Sequence, residues 1–560
     1  MTHADWIFSG GPVHTMDPLQ PHTEAVAVAN GRIVALGADA AGWRGPATEL
    51  VDLTGKALLP GFQDAHVHPL AGGLQMLGCD LSGVHSLAEY RVLIADHARA
   101  NPAAEWIQGA GWYGDVFDGG FPHRALLDEL VPDRPVFLIS HDGHGAWVNS
   151  RALERAGITD MTPDPDGGVI ARDGAGAATG MLIEHAADLV SALIPDPDQK
   201  HIRRALLTAQ AYLHSLGVTA WQDAAVGQAL GMPDSFDHYL ALESEGRLTA
   251  TVTGALWWKR DCGLEQIELF KERRATSPGR FRATAVKIMV DGVCENLTAA
   301  LTRSYNGHPH ETGMSLIQPD ELARITRAAD AEGFDLHLHA VGDRAVRDCV
   351  NALDLPRREG WDPRHQIAHL DLVDPADVAR FAATGAIANI QPLWARQDPV
   401  LVETKLPYLD EAHQQVHFAF ETLRRAGVDL AIGSDWPVSS PDPLWGIHTA
   451  VNRTAPSADP HARDTRSQTD PLLPTEAITL GAALAAYTTG AARANRLDAE
   501  RGAIRLGMAA DLVVLDADPL AVEARELGAI GVDFTFAGGQ PVYSRAHNRA
   551  LPTLLAQYQT

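Results

Sequence analysis

Several kinds of residue pattern are scarce in this chain of 560 residues. The four cysteines, Cys79, Cys262, Cys294 and Cys349, are too few and too scattered for a disulfide framework or a CxxC zinc knuckle, so a reducing, cytoplasmic setting is expected. No stretch reaches the ~18 uninterrupted apolar residues of a membrane span. The most apolar one, 477–492, is broken by Thr479, Gly481 and Gly490. The opening MTHADWIFSG has no basic segment followed by an apolar run, so no secretory signal is expected. Basic residues are outnumbered, 45 Lys and Arg against 71 Asp and Glu, for a net charge of −26. A surface that acidic repels phosphates and argues against a general nucleic-acid binder. What the chain does have is 46% hydrophobic and 21% charged residues, enough for a large globular core, and 25 histidines, the compositional outlier.

At ~150 residues per domain the length allows three or four domains, or one large barrel with additions. Short β-type runs bounded by turn residues lie at both ends: 4–8, 25–29 and 32–36, then 511–515, 532–536 and 541–543. They suggest one small β-domain assembled from the two chain ends, against the alternative of two separate appendages. Between them short apolar runs alternate with helical stretches. The runs are 57–69, 217–225, 249–256, 284–292, 334–342, 364–372, 385–392 and 428–437. Segments 200–216, 320–333 and 414–427 are amphipathic at helical spacing, the last ending on a glycine as a C-terminal cap would. Eight such units predict an α/β fold, a (β/α)8 TIM-like barrel. The long interval 70–199 reads as a lid inserted after strand one. The expected layout is a β-sandwich domain from 1–58 and 491–560 around a barrel at 59–490. The polar stretch 454–471 reads as a surface loop.

Barrel catalytic groups sit at the C-terminal ends of strands. Strand one ends DAHVHP, with His66 and His68 two apart and therefore on one side of the strand. Strand five ends with His337 and His339, strand six with His365 and His369, and strand eight with Asp435. Strand four carries Lys287, with Asp291 four residues on. A lone strand histidine is usually a packed core residue. The conjunction of these in order suits a divalent first-row metal such as zinc.

These residues lie in motifs that together resemble the amidohydrolase superfamily, in its N-substituted formamide deformylase-like branch. The motifs are LLPGFQDAHVHP (58–69), DGHGAWVNSRAL (142–153), TGMLIEHA (179–186), VKIMVDG (286–292), HAVGDRAV (339–346), RHQIAHL (364–370), IQP (390–392), GSDWPV (433–438) and GMAADLVVLD (507–516). The resemblance implies His66, His68, His339, His369 and Asp435 as ligands of one or two metal ions. It also implies Asp435 as general base and acid, and Lys287 as a carboxylated, metal-bridging residue. The alternative for Lys287 is an ordinary barrel lysine paired with Asp291. Ala368 stands where relatives often carry an acidic residue.

Other candidates divide between two roles. His337 either lines the site or lies one layer deeper, and His144 either contacts substrate or shapes its loop. Trp112, Tyr113 and Phe117 either wall the substrate or pack the lid. His141 reads as structural, Asp223 as supporting or structural, and Glu184 as a substrate or supporting group. The expected activity is hydrolysis of a non-peptide carbon–nitrogen bond, an amide or N-substituted formamide, in a small-molecule substrate. The alternatives are an ester, a lactone or a cyclic amide, deamination, or a non-catalytic binding protein on the same barrel. A homo-oligomer is allowed, and nothing in the sequence selects an oligomeric state.

Overall fold

The computed structural model describes residues 3–546 apart from 118–119, 142, 144, 166–167, 230, 356–358 and 463. The chain divides into two compact units, Leu70–Ala209 and the remainder. Among the described residues no helix is long and apolar enough to cross a membrane.

The larger unit holds eight parallel strands: β1 (Phe62–Val67), β2 (Val218–Val226), β3 (Thr251–Trp257), β4 (Phe281–Met289), β5 (Asp335–Ala340), β6 (Gln366–His369), β7 (Ile387–Ile390) and β8 (Leu430–Ile432). They pair in sequence order, β1 with β2 through to β7 with β8. Nearly every residue in them is buried, as expected of parallel strands covered on both faces. The two ends of the sheet meet: the Asp435 N–H donates to the His66 carbonyl at 2.8 Å, and the His68 N–H donates to that of Trp436 at 2.9 Å. The barrel is thus nearly closed, and its seam runs between two expected site residues.

The expected first run, 57–69, serves two sheets. Ala57–Pro60 pairs antiparallel with Leu512–Leu515, and the chain then turns at Gly61 into β1. An eight-stranded sheet thereby joins strands from both chain ends, around a core that includes Phe8, Val26, Leu58, Leu512 and Phe536. The Glu49–Asp52 strand in it has no apolar alternation and was invisible to pattern reading.

Two helical expectations hold, at Gln199–Ser215 and Pro319–Ala331. The third does not. Segment 414–427 is broken into Glu411–Gln414 and Phe420–Arg425, because His417 bridges to Leu372 and Phe418, at φ 51°, donates its N–H to the Asp371 carbonyl. The glycine stop is correct: Gly427 is left-handed at φ 88°. Stretch 454–471 is no simple surface loop either. It buries Ala455, Asp459 and Ala462, and Asp459 forms an ion pair with buried Arg396.

The smaller unit carries its own six-stranded sheet, in the order Gly168–Arg172, Ala178–Glu184, Gly145–Val148, Val136–Ser140, Ile107–Trp112 and Cys79–Asp80. Its core includes Tyr90, Ile94, Trp112, Leu138 and Trp147. Trp112 is buried there, with its Nε1–H donated to the Leu138 carbonyl at 2.8 Å and its ring against Phe117 and Trp147. Of the two roles open to the aromatic cluster, Trp112 and Phe117 take the packing one.

Candidate active site

Three barrel imidazoles face one carboxylate. Asp435 Oδ1 lies 3.0 Å from His68 Nε2 and 3.3 Å from His66 Nε2, and Asp435 Oδ2 lies 4.0 Å from His369 Nδ1. Lys287 Nζ is 3.3 Å from His66 Nε2, and the His339 ring centroid is 4.4 Å from that of His369. The sequence therefore selected residues that the fold brings together. Ligand atoms of His66, His369 and Asp435 all fall within 4.8 Å of one another.

The protonation pattern leaves lone pairs pointing inward. His337 Nδ1 is 2.6 Å from Gln222 Oε1, and an amide oxygen only accepts, so this nitrogen donates. His337 Nε2 then accepts from the His66 Nδ1–H at 2.8 Å, which leaves the lone pair of His66 on Nε2, facing Asp435 and Lys287. Burial, with Lys287 nearby, keeps both His66 and His337 far below the usual imidazole range, consistent with neutral rings. His337 is thus fully buried with both nitrogens engaged. It occupies the deeper layer and fixes the tautomer of His66, as partners of metal-ligating histidines do. His339 donates Nε2–H to the Gly292 carbonyl at 3.3 Å, and burial pushes it down to about 4. His369 is buried, has Nδ1 without a hydrogen-bond partner, and stacks flat on Trp394 at 5.5 Å and 8°. Burial opposes charge on Asp435, but the surrounding His68, His369 and Lys287 hold its carboxyl below the usual range.

The lone pair on His66 Nε2, 3.3 Å from Asp435 Oδ1, repels that carboxylate unless a cation lies between them. This donor set of imidazoles and one carboxylate, with an orphaned buried nitrogen, fits a divalent metal of the zinc type. The backbone is also strained here: His369, Leu370 and Asp435 have φ of 78°, 56° and 57°. Left-handed non-glycine residues concentrate at functional sites.

Lys287 is 2% exposed, and burial brings it down to about 7 despite the opposing pull of Asp435. Asp291 accepts instead from the backbone N–H groups of Ala300, Val341 and Gly342 at 2.8–3.0 Å, so it ties the strand ends together. His365 accepts from the Leu336 N–H and lies 3.2 Å from Asp330. Asp223 accepts a hydrogen bond from the Tyr239 hydroxyl at 2.8 Å, a structural contact. Tyr113 stacks on His141 at 3.9 Å within the smaller unit, where Glu184 is exposed at a strand end. His144 lies outside the described residues.

Asp64, Gln222 and Trp394 were missed. Asp64 accepts from the His66 N–H at 2.9 Å and the Ser434 N–H at 3.0 Å, binding β1 to the segment after β8. Its place two residues before His66 in DAHVH was the available signal. The β1–β8 approach also demands glycine: a Cβ on Gly433 would lie 2.4 Å from the His66 Cβ. A Gly433→Ala variant should lose about 1–3 kcal/mol of stability, as overpacking does, measured by denaturant unfolding against the parent chain.

A model of the amidohydrolase family matches residues 49–543. The protein LONG AFTER FAR-RED 3 of Arabidopsis thaliana is 32% identical over 96% of this chain and 92% of its own length. An N-substituted formamide deformylase of Arthrobacter pascens is 28% identical over 97% of this chain and 98% of its own. Among solved structures, an uncharacterized metal-dependent hydrolase of Pyrococcus horikoshii superposes with a TM-score of 0.71 and 25% identity, covering 93% of this chain and 99% of that one.

Proposed function

Because the chain belongs to the amidohydrolase family and is a metal-dependent hydrolase, we propose that it cleaves a non-peptide carbon–nitrogen bond of a small molecule, an amide or N-substituted formamide. The observation that carries this reading is the convergence of His66, His68 and His369 on Asp435. The formamide-cleaving relative, matched along almost its whole length, favours the substrate class.

His66, His68, His339, His369 and Asp435 would hold the metal, with zinc the best match to the donors. When bound, a divalent metal lowers the pKa of water to ~7 and polarises a carbonyl. Asp435, kept ionised by its neighbours, takes a proton from the attacking water and returns it to the departing amine. His337 and Gln222 hold His66 in the tautomer that presents Nε2. Lys287 as an amine competes for that lone pair, whereas carboxylated it would supply a further oxygen ligand. A Lys287 held near 7 is largely an uncharged amine at slightly alkaline pH, the form that takes up carbon dioxide.

The test is a panel of N-substituted formamides, simple amides and matched esters, assayed for amine and acid release. Amine release should vanish on chelation and return with zinc or manganese. Turnover of esters alone would overturn the proposed bond, and undiminished amine release from metal-free protein would overturn the proposed chemistry.

A further inference from the structure

The turn after β6 places two successive non-glycine residues, His369 and Leu370, in the left-handed region. Such a pair persists only where the surroundings hold it. Three backbone ties do so in part: Leu370 N–H to the Ala340 carbonyl at 3.0 Å, Leu372 N–H to Val341 at 3.0 Å, and Phe418 N–H to Asp371 at 2.8 Å. The fourth tie is ionic. Asp371, 1% exposed, receives Lys405 Nζ at 2.7 Å. Lys405 also lies 3.5 Å from Glu295 and over the Phe418 ring at 5.9 Å, while His417 Nε2 is 3.9 Å from Asp371.

This cluster joins the segments that follow β4, β6 and β7, all at the end of the barrel that carries the ligand side chains. A buried ion pair is a poor source of stability, since apolar side chains of similar volume often serve as well. Fixing one conformation is the use that fits, because the residue two before Asp371 is His369.

Resting on the metal-centre reading above, we propose that Lys405 is a positioning residue: by clamping Asp371 it holds the strained turn that aims His369 Nδ1 at Asp435. In this role Lys405 acts through Asp371 and the backbone, not on substrate or metal directly.

The test measures zinc affinity by competition with a chromophoric chelator, alongside unfolding of the metal-free chain. Lys405→Met is expected to bind zinc about 10–100-fold more weakly, the usual loss when a group supporting a metal ligand is removed. Lys405→Arg should restore most of that affinity. Because Lys405→Met leaves a lone buried carboxylate, the double variant Asp371→Asn, Lys405→Met is measured too. It removes both members of the buried pair, leaves Glu295 with a side chain that is 28% exposed, should unfold cooperatively, and should still bind zinc weakly. Zinc affinity equal to the parent in either folded variant overturns the proposal, including the case in which only the unfolding midpoint moves. A parent chain that fails to bind zinc would instead overturn the metal-centre reading, so the two failures are distinguishable.

Discussion

Asp435→Asn is expected to leave a folded, metal-binding protein that has lost on the order of 10³-fold in turnover, within the range that general acid–base groups contribute. Asparagine matches aspartate in volume and tolerates the left-handed backbone found at this position, φ 57°. The loss therefore cannot be assigned to strain. What changes is chemistry: an amide neither takes a proton from water nor returns one to a departing amine. The asparagine side chain keeps its place beside His68 Nε2, 3.0 Å from Asp435 Oδ1 in the parent chain, so the local arrangement should survive. Initial rates combined with metal content per chain check this. Full activity in a metal-replete Asp435→Asn protein would remove Asp435 from the reaction.

Lys287→Met carries the second large effect. The lysine is buried at the centre of the cluster, 3.3 Å from His66 Nε2. Methionine fills similar space without nitrogen or oxygen ligands. If the lysine works as a carboxylate, this variant should lose about 10–100-fold in activity, as metal sites do when the groups around the ion are removed. The pH dependence has a definite sign. Burial lowers the lysine from its ordinary value to about 7, so the uncharged amine grows as pH rises through 7 and shrinks below it. Carbamate formation in bicarbonate buffer, read by mass spectrometry of the intact protein, should rise over the same interval. A fully active Lys287→Met protein would assign the lysine to packing.

The barrel was legible because parallel strands buried on both faces write continuous apolar runs, and because the side chains proposed as ligands sit at their ends. His66, His68, His337, His339, His365, His369 and Asp435 stood out for that reason, and the family resemblance singled out His66, His68, His339, His369 and Asp435 among them. The supporting layer was harder. Gln222 and Asp64 are polar residues inside buried strands, and only the hydrogen bonds of the folded state reveal that they hold His66. His337 shares a strand face with His339, so periodicity could not separate a proposed ligand from a residue that supports His66. The break near Phe418 has no local cause: the helical pattern is continuous, and a tertiary tie to Asp371 overrides it. Lys405 and Asp371 are 34 residues apart, with nothing in either neighbourhood to announce the pair. Trp112 shows the opposite error risk, an aromatic in a suggestive motif whose place is the core of the smaller unit.

Anomalous diffraction at the zinc edge, on crystals of zinc-loaded protein, tests the central claim most directly. The account predicts strong density enclosed by His66, His68, His369, His339 and Asp435. Stoichiometric zinc bound elsewhere on the chain, with that enclosure empty, would contradict it.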